Sequence, residues 1–325
     1  MRAPGCQVRV VLAVLSSAGR NPGGFPSSIR SPDDGPARRQ CPQASLRPAA
    51  RLHRQGICRT RPANEISRYK PTHTVQPLDT APTKNPPSLF SRAFFALVDI
   101  VHNAIARASL VGDHPIFDNA AFPWLPGLEA QTPAIRAELL EILRDRDRLP
   151  AFHELSPDVA TITTDRQWKT FVFMAYGLRA ERNIARCPAT ARAIAAIPGI
   201  RTAFYSILEP GKRIPMHRGP YNGVLRLHLA LVVPEPRDRC WIEVDGQRYV
   251  WQEGRAVVFD DLYPHQVHND TDGLRVVLFV DFDRPCRWPV SWLNRLILAV
   301  APMTSEIRQS KANHDVWEKG YYGRD

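Results

Sequence analysis

Period-two alternation is clearest in HRGPYNGVLRLHLALVVP, His217 to Pro234. There Leu225, Leu227, Leu229 and Leu231 share one face of an extended chain, and Arg226, His228 and Ala230 share the other. The segment RQWKTFVFMAYG predicts an earlier strand, with Trp168, Thr170, Val172 and Met174 on one face. From residue 201 short strands follow at regular spacing: TAFYSILEP, VLRLHLALVVP, CWIEV, QRYVW, RAVVFDD and LRVVLFVDF. Asp245-Gly246 is the hairpin turn between CWIEV and QRYVW.

Helical spacing appears on either side of this block. Phe94, Leu97, Val98, Val101 and Ile105 recur at 3.6-residue intervals. Thr132-Pro133 reads as an N-cap and first turn for AIRAELLEILRD, and CPATARAIAAIPG as a short helix ended by Pro198-Gly199. Trp292, Leu293, Leu296 and Ile297 form one patch, expected to close the domain as an amphipathic helix over about 288–310. The pattern predicts a mainly β domain over 89–325, its β core at about 165–285, built as a jelly roll or similar barrel backed by N- and C-terminal helices. Residues 1–88, rich in Pro, Arg, Ser and Gly and without a period, are expected to be disordered.

Charge sharpens this division. The net charge of +11 comes from residues 1–95, with 15 basic and 4 acidic side chains; the remainder holds 28 of each. A neutral domain gives no basic face, so no nucleic-acid partner is expected. The six cysteines include no CxxC pair, which argues against a zinc cluster or a disulfide framework and for reduced, cytoplasmic thiols. No apolar run reaches 18 residues. The start, MRAPGCQVRVVLAVLSSAGR, has only a short apolar run, VVLAVL; a signal peptide, an organelle-targeting peptide and an over-extended start all stay open.

Small barrels hold ligands between their sheets, reached by alternate residues of each strand. His217, at the start of a strand after PGKRIPM, His265 after DDLYP, and Arg275 at the head of VVLFVDF are the polar candidates. Two imidazoles on neighbouring strands can share a metal ion, and a guanidinium offers a planar fork to a carboxylate. A mononuclear iron oxygenase that uses 2-oxoglutarate needs that combination.

Three segments in order, HRGPYNGVLRLHLALVVP, VDGQRYVWQEGRAVVFDDLYPHQVHN and LRVVLFVDFDRP, resemble the aspartyl/asparaginyl β-hydroxylase family, including its bacterial branch of lipid A acyl-chain hydroxylases. The resemblance covers roughly 165–285. It implies a double-stranded β-helix, Fe(II) as cofactor and 2-oxoglutarate as cosubstrate, with His217 and His265 as iron ligands and Arg275 gripping the cosubstrate carboxylate. Arg226, His228, Ser206 and Trp168 match further cosubstrate-pocket positions. Gly219 stands where most related oxygenases carry a metal-binding carboxylate, as this family's two-histidine site implies.

Other readings stand beside these. Asp260 and Asp261 are expected to be turn residues, Asp261 being the first candidate if a carboxylate completes the iron site. Asp281 shares a face with Arg275 and offers it a structural partner. His268 is expected at the surface or in a turn, Arg237, Arg239 and Arg248 in solvent, and Trp241 and Trp251 in the core or rim, with stacking on a substrate as the alternative for either. Arg218, Tyr221 and Asn222 flank the first histidine as candidates for substrate contact. The expected activity is hydroxylation of an aliphatic C–H on a peptidyl Asp or Asn. The first alternative is the 2-position of a lipid acyl chain; one from another class is a non-catalytic jelly-roll binding module. The C-terminal helix adds an expectation of peripheral membrane contact.

Overall fold

The computed structural model describes residues 89–323, with side chains from residue 96; the segment expected to be disordered lies outside the described residues. Ten strands are found among them. β1 (Trp168–Ala175), β2 (Leu178–Arg179), β3 (Ile200–Leu208), β5 (Val224–Val232), β8 (Ala256–Phe259) and β10 (Arg275–Asp283) form one sheet in the order β2-β1-β3-β10-β5-β8. β4 (Arg213–His217), β6 (Cys240–Val244), β7 (Gln247–Val250) and β9 (His265–Asn269) form the other, in the order β4-β9-β6-β7. All pairs are antiparallel. The two sheets face each other across an apolar filling that includes Phe204, Phe279, Trp251, Ile242 and Val267. This is a double-stranded β-helix with flanking helices.

The opposite face of the larger sheet carries the helices. Leu225, Leu227, Leu229 and Leu231 of β5 pack there with Ile135 and Leu139 of the helix Thr132–Leu143. Arg226, His228 and Ala230 therefore point between the sheets, as the alternation predicts. Tyr205 of β3 lies on the helix side too, its hydroxyl 2.6 Å from that of Thr190. The Asp245-Gly246 turn has the expected left-handed geometry, with φ of 48° and 76°.

Four expectations are corrected. Met174 leaves the face of Trp168, Thr170 and Val172, because a bulge between Val172 and Met174 turns it toward the helices. Thr132 is not an N-cap: the helix is already under way, and its hydroxyl donates to the Glu129 carbonyl at 2.7 Å. β4 and β9 are additional strands, so His217 ends a strand rather than beginning one.

The C-terminal region is the fourth. It forms two helices, Val290–Val300 and Ser305–Tyr322, in place of one. In the first, Asn294 and Leu298 face inward, while Trp292, Leu293 and Leu296 are exposed. Asn294 accepts from the Tyr221 hydroxyl at 2.8 Å and donates to the Gly223 carbonyl at 2.8 Å. The inward demand is thus for an amide, and the apolar patch is left outside. The helix Leu89–Ala108, hereafter α1, packs beside Val290–Val300, hereafter α2. None of the described helices is long and apolar enough to cross a membrane.

Candidate active site

The register of β4 against β9 sets His217 directly opposite His265, with ring centroids 4.1 Å apart. Each ring is oriented by its own strand. His217 Nδ1 lies 2.8 Å from the Pro215 carbonyl, and His265 Nδ1 lies 2.9 Å from the Tyr263 carbonyl. A carbonyl can only accept, so each Nδ1 carries a proton and each Nε2 is the nitrogen left for another partner. Burial, and then the neighbouring His265, push the pKa of His217 down to about 4. Its imidazole is therefore a neutral ligand at ordinary pH.

Asp261 is more than a turn residue. Its carboxylate is buried, with Oδ1 3.1 Å from His265 Nε2, and it forms an ion pair with Arg226. A β-carbon at Gly219 would overlap this carboxylate. Asp261 thus fills from another strand end the space that a side chain at position 219 would occupy. His265 Nε2 and Asp261 Oδ1 thus lie within hydrogen-bonding distance of each other. The donor set of two imidazole nitrogens beside a carboxylate fits a divalent metal with open positions. No group of three His, Cys, Asp or Glu side chains among the described residues is arranged to hold a metal ion, so the pair His217 and His265 is the fitting unit.

Arg226 is locked by protein groups. It lies opposite Asp281 on β10, and its Nε donates to Asp281 Oδ1 at 2.8 Å while Nη2 lies 3.3 Å from Oδ2. Asp281 therefore pairs with Arg226 and not with Arg275, which corrects the structural reading of Arg275. Burial alone would raise Asp261, yet Arg226, and then His265, hold it well below the usual carboxylate range.

Arg275 is the contrasting case. It is 1% exposed, has no carboxylate partner among the described residues, and its nearest acceptors are the Ser206 carbonyl at 3.4 Å and Ser206 Oγ at 3.5 Å. Its Nε has no partner there, and burial lowers its pKa to about 10. The guanidinium stacks over the Trp251 ring, 4.6 Å from the centroid. Around it the Trp251 indole nitrogen, both His228 ring nitrogens and the Thr170 hydroxyl are likewise buried and unpartnered among the described residues. Burial, reinforced by Arg275, takes the His228 pKa well below its ordinary value, so the ring is neutral. Buried polar groups are normally satisfied, and a cluster of orphans facing one charged fork is a cradle for an anion with several acceptor atoms.

A row of rings joins the cradle to the histidine pair: Trp251 to His228 at 6.1 Å, His228 to Phe259 at 5.1 Å, and Phe259 to His265 at 5.7 Å. Trp168 and Ser206 stand at the edge, the indole donating to Ser206 Oγ at 3.0 Å. Trp251 and Thr170 were not singled out by sequence for this site. The inward parity of Thr170 could have found it, whereas Trp251 lies beyond β7, where no alternation applies.

The three residues proposed for substrate contact divide. Arg218 is exposed beside the histidine pair. Asn222 is buried, donating to the His102 carbonyl of α1 at 3.0 Å. Tyr221 is half-buried against α2. His268 stacks on Trp241 at 4.1 Å, outside the site. Two open surface depressions, one lined by Arg213, Arg239 and Asp270 and the other by Ile116, Gln252 and Arg255, hold none of the site residues.

A pH prediction follows from His217. Its folded pKa lies below the unfolded value, so it is neutral to folding above about pH 6.5 and opposes folding increasingly as pH falls toward 4. The denaturation midpoint of the metal-free wild type should therefore drop more between pH 7 and pH 5 than that of His217→Gln. Equal drops would remove His217 as the source.

Residues 129–285 match the family description Aspartyl/Asparaginyl beta-hydroxylase. The chain is 47% identical over 236 residues to the ornithine lipid ester-linked acyl 2-hydroxylase of Rhizobium tropici, spanning 73% of this chain and 84% of that protein. It is 31% identical over 134 residues to the human aspartyl/asparaginyl beta-hydroxylase, spanning 40% of this chain but 17% of that protein. A solved prolyl-4-hydroxylase from Pseudomonas putida overlaps 47% of this chain and 87% of its own at 20% identity, with a TM-score of 0.31, too slight a likeness to bear on function.

Proposed function

The chain belongs to the aspartyl/asparaginyl β-hydroxylase family, and on that footing we propose that it is an Fe(II)- and 2-oxoglutarate-dependent hydroxylase acting on the 2-position of an ester-linked lipid acyl chain. The cosubstrate reading is carried by one observation: a fully buried Arg275 without a carboxylate, set among unpartnered donors. Arg275 and Trp251 would grip the distal carboxylate of 2-oxoglutarate, with His228, Thr170 and Ser206 completing its hydrogen bonds. His217 and His265 would hold the iron, which when bound supplies the activation of oxygen needed to oxidise an unactivated C–H. Asp261, oriented by Arg226, would keep that face of the site polar. The apolar filling of Phe204, Phe259 and Phe279 keeps bulk water from the reacting centre.

For the substrate, the extensive match to an ester-linked acyl 2-hydroxylase favours the lipid alternative over the peptidyl Asp or Asn that the sequence first suggests. The human aspartyl/asparaginyl beta-hydroxylase matches 40% of this chain, against 73% for the acyl 2-hydroxylase. The test is incubation of purified protein, Fe(II), 2-oxoglutarate and oxygen with ornithine lipid in detergent, followed by mass spectrometry. A single added oxygen on the ester-linked chain at C2 is the expected result. Oxygen added instead to an Asp- or Asn-containing peptide would restore the first reading, and no product from either would leave the binding-module alternative.

A further inference from the structure

We propose that the outward face shared by α1 and α2 is a docking surface for a bilayer containing anionic lipid. The proposal deepens the lipid reading above and rests on it for the nature of the substrate. Trp288, Trp292 and Leu296 lie four residues apart in sequence and are 82%, 64% and 48% exposed. Trp292 and Leu296, four apart within α2, share one face of the helix, widened by Leu293, and Trp288 stands in the turn just before it. Ile100 and Leu97 on the adjacent α1, 63% and 48% exposed, add to it, as does Leu110 just past the end of α1. Single exposed apolar residues mean little, but a cluster with two tryptophans, one on α2 and one in the turn before it, marks a contact surface.

Charge selects the occupant. Arg107, Arg287 and Arg295 are exposed and have no carboxylate partner among the described residues, and Asp99 is the one acidic residue in either helix. Tryptophan with unpaired arginine around an apolar stripe suits an interface of headgroups and acyl chains, where indoles settle and cations meet anionic lipid. The inverted polarity of α2, with Asn294 inside and tryptophan outside, is costly in water and natural at such an interface. Asn294 also holds Tyr221 and Gly223, in the loop that follows His217. The docking face is thereby tied directly to the rim of the candidate site.

The test is flotation of the purified full chain with vesicles of phosphatidylcholine alone or mixed with phosphatidylglycerol, neither containing substrate. Wild type should float with the mixed vesicles and be released by salt. Trp288→Ser with Trp292→Ser should weaken binding at least about tenfold, and Arg287→Gln or Arg295→Gln about fivefold each at low salt. All four positions are exposed, so unfolding midpoints should not move. Hydroxylation of detergent-dispersed lipid by the tryptophan double variant should persist, which separates docking from chemistry. Wild type that ignores vesicles, or a double variant that binds as well, would overturn the proposal. So would a wild-type dimer that the double variant dissociates, or vesicle-free tryptophans at 288 and 292 shielded from acrylamide, since either would show the face already covered by protein. Docking without hydroxylation of any lipid would instead sink the substrate reading and leave the docking face standing.

Discussion

Arg275→Met should leave the barrel folded, make it harder to denature, and sharply reduce its response to 2-oxoglutarate. A guanidinium held in the interior without a counter-ion is a cost to folding, visible in its depressed pKa of about 10. Replacing buried charge with an apolar side chain of similar volume commonly stabilises by about 1–4 kcal/mol, and an unpaired arginine belongs at the favourable end. Binding moves the other way. Removing one partner of a buried, hydrogen-bonded charge pair costs about 2–5 kcal/mol, which is about 30-fold in affinity at the least. Denaturant unfolding with and without cosubstrate reads both effects together. At a hundredfold excess over the wild-type Kd, 2-oxoglutarate should add about 2.7 kcal/mol to the wild type and at most about 0.9 kcal/mol to the variant. A variant that is less stable, yet stabilised by 2-oxoglutarate as fully as the wild type, would make Arg275 a structural residue.

Arg226→Leu should do the reverse and cost the fold about 3–5 kcal/mol. Both Asp261 and Asp281 are buried, and this one side chain forms an ion pair with each. Without it two carboxylates remain in the interior with no cation but whatever the histidines carry. The penalty should depend on pH with a definite sign. In the wild type Asp261 is held well below its unfolded pKa, so its contribution is present above about pH 4 and lost only under strong acid. In the variant the unpaired carboxylates favour protonation, so their folded pKa values rise above the unfolded ones. The penalty is then largest at neutral pH and shrinks as pH falls. Urea midpoints at pH 7 and pH 5 measure this, and a loss under about 1 kcal/mol at pH 7 would show that the cluster is not the bond it looks to be.

What the sequence reveals follows from what periodicity can carry. The inward placement of Arg226 and His228 is legible because four leucines on β5 fix the opposite face. β4 and β9 are illegible by the same measure: RIPMH holds a proline between its two apolar residues and HQVHN has a single apolar residue, and their strand character comes from pairing with each other and with β6. The partner of Arg226 is hidden for a related reason. Asp281 shares a face with Arg275 in its own strand, but the register of β10 on β5 puts it against Arg226. No single strand contains that information. Two readings depend on tertiary context alone: the wall that Trp251 makes for Arg275, and the outward turn of the apolar face of α2. Periodicity locates an apolar stripe without saying whether protein or something else covers it. The site residues themselves came chiefly from the family resemblance, which supplies roles that spacing cannot.

The overlap between Gly219 and the Asp261 carboxylate has a consequence for descent. A glycine codon lies a single base change from an aspartate codon, so restoring a carboxylate at 219 is among the nearest mutational steps open to this chain. Taken alone, it drives a second carboxylate into occupied, buried space. The step turns tolerable only after Asp261 has been lost, and that loss strips Arg226 of a partner. Neither order gives a neutral intermediate. The two-histidine arrangement is therefore a ratchet, held by packing at a position one residue wide.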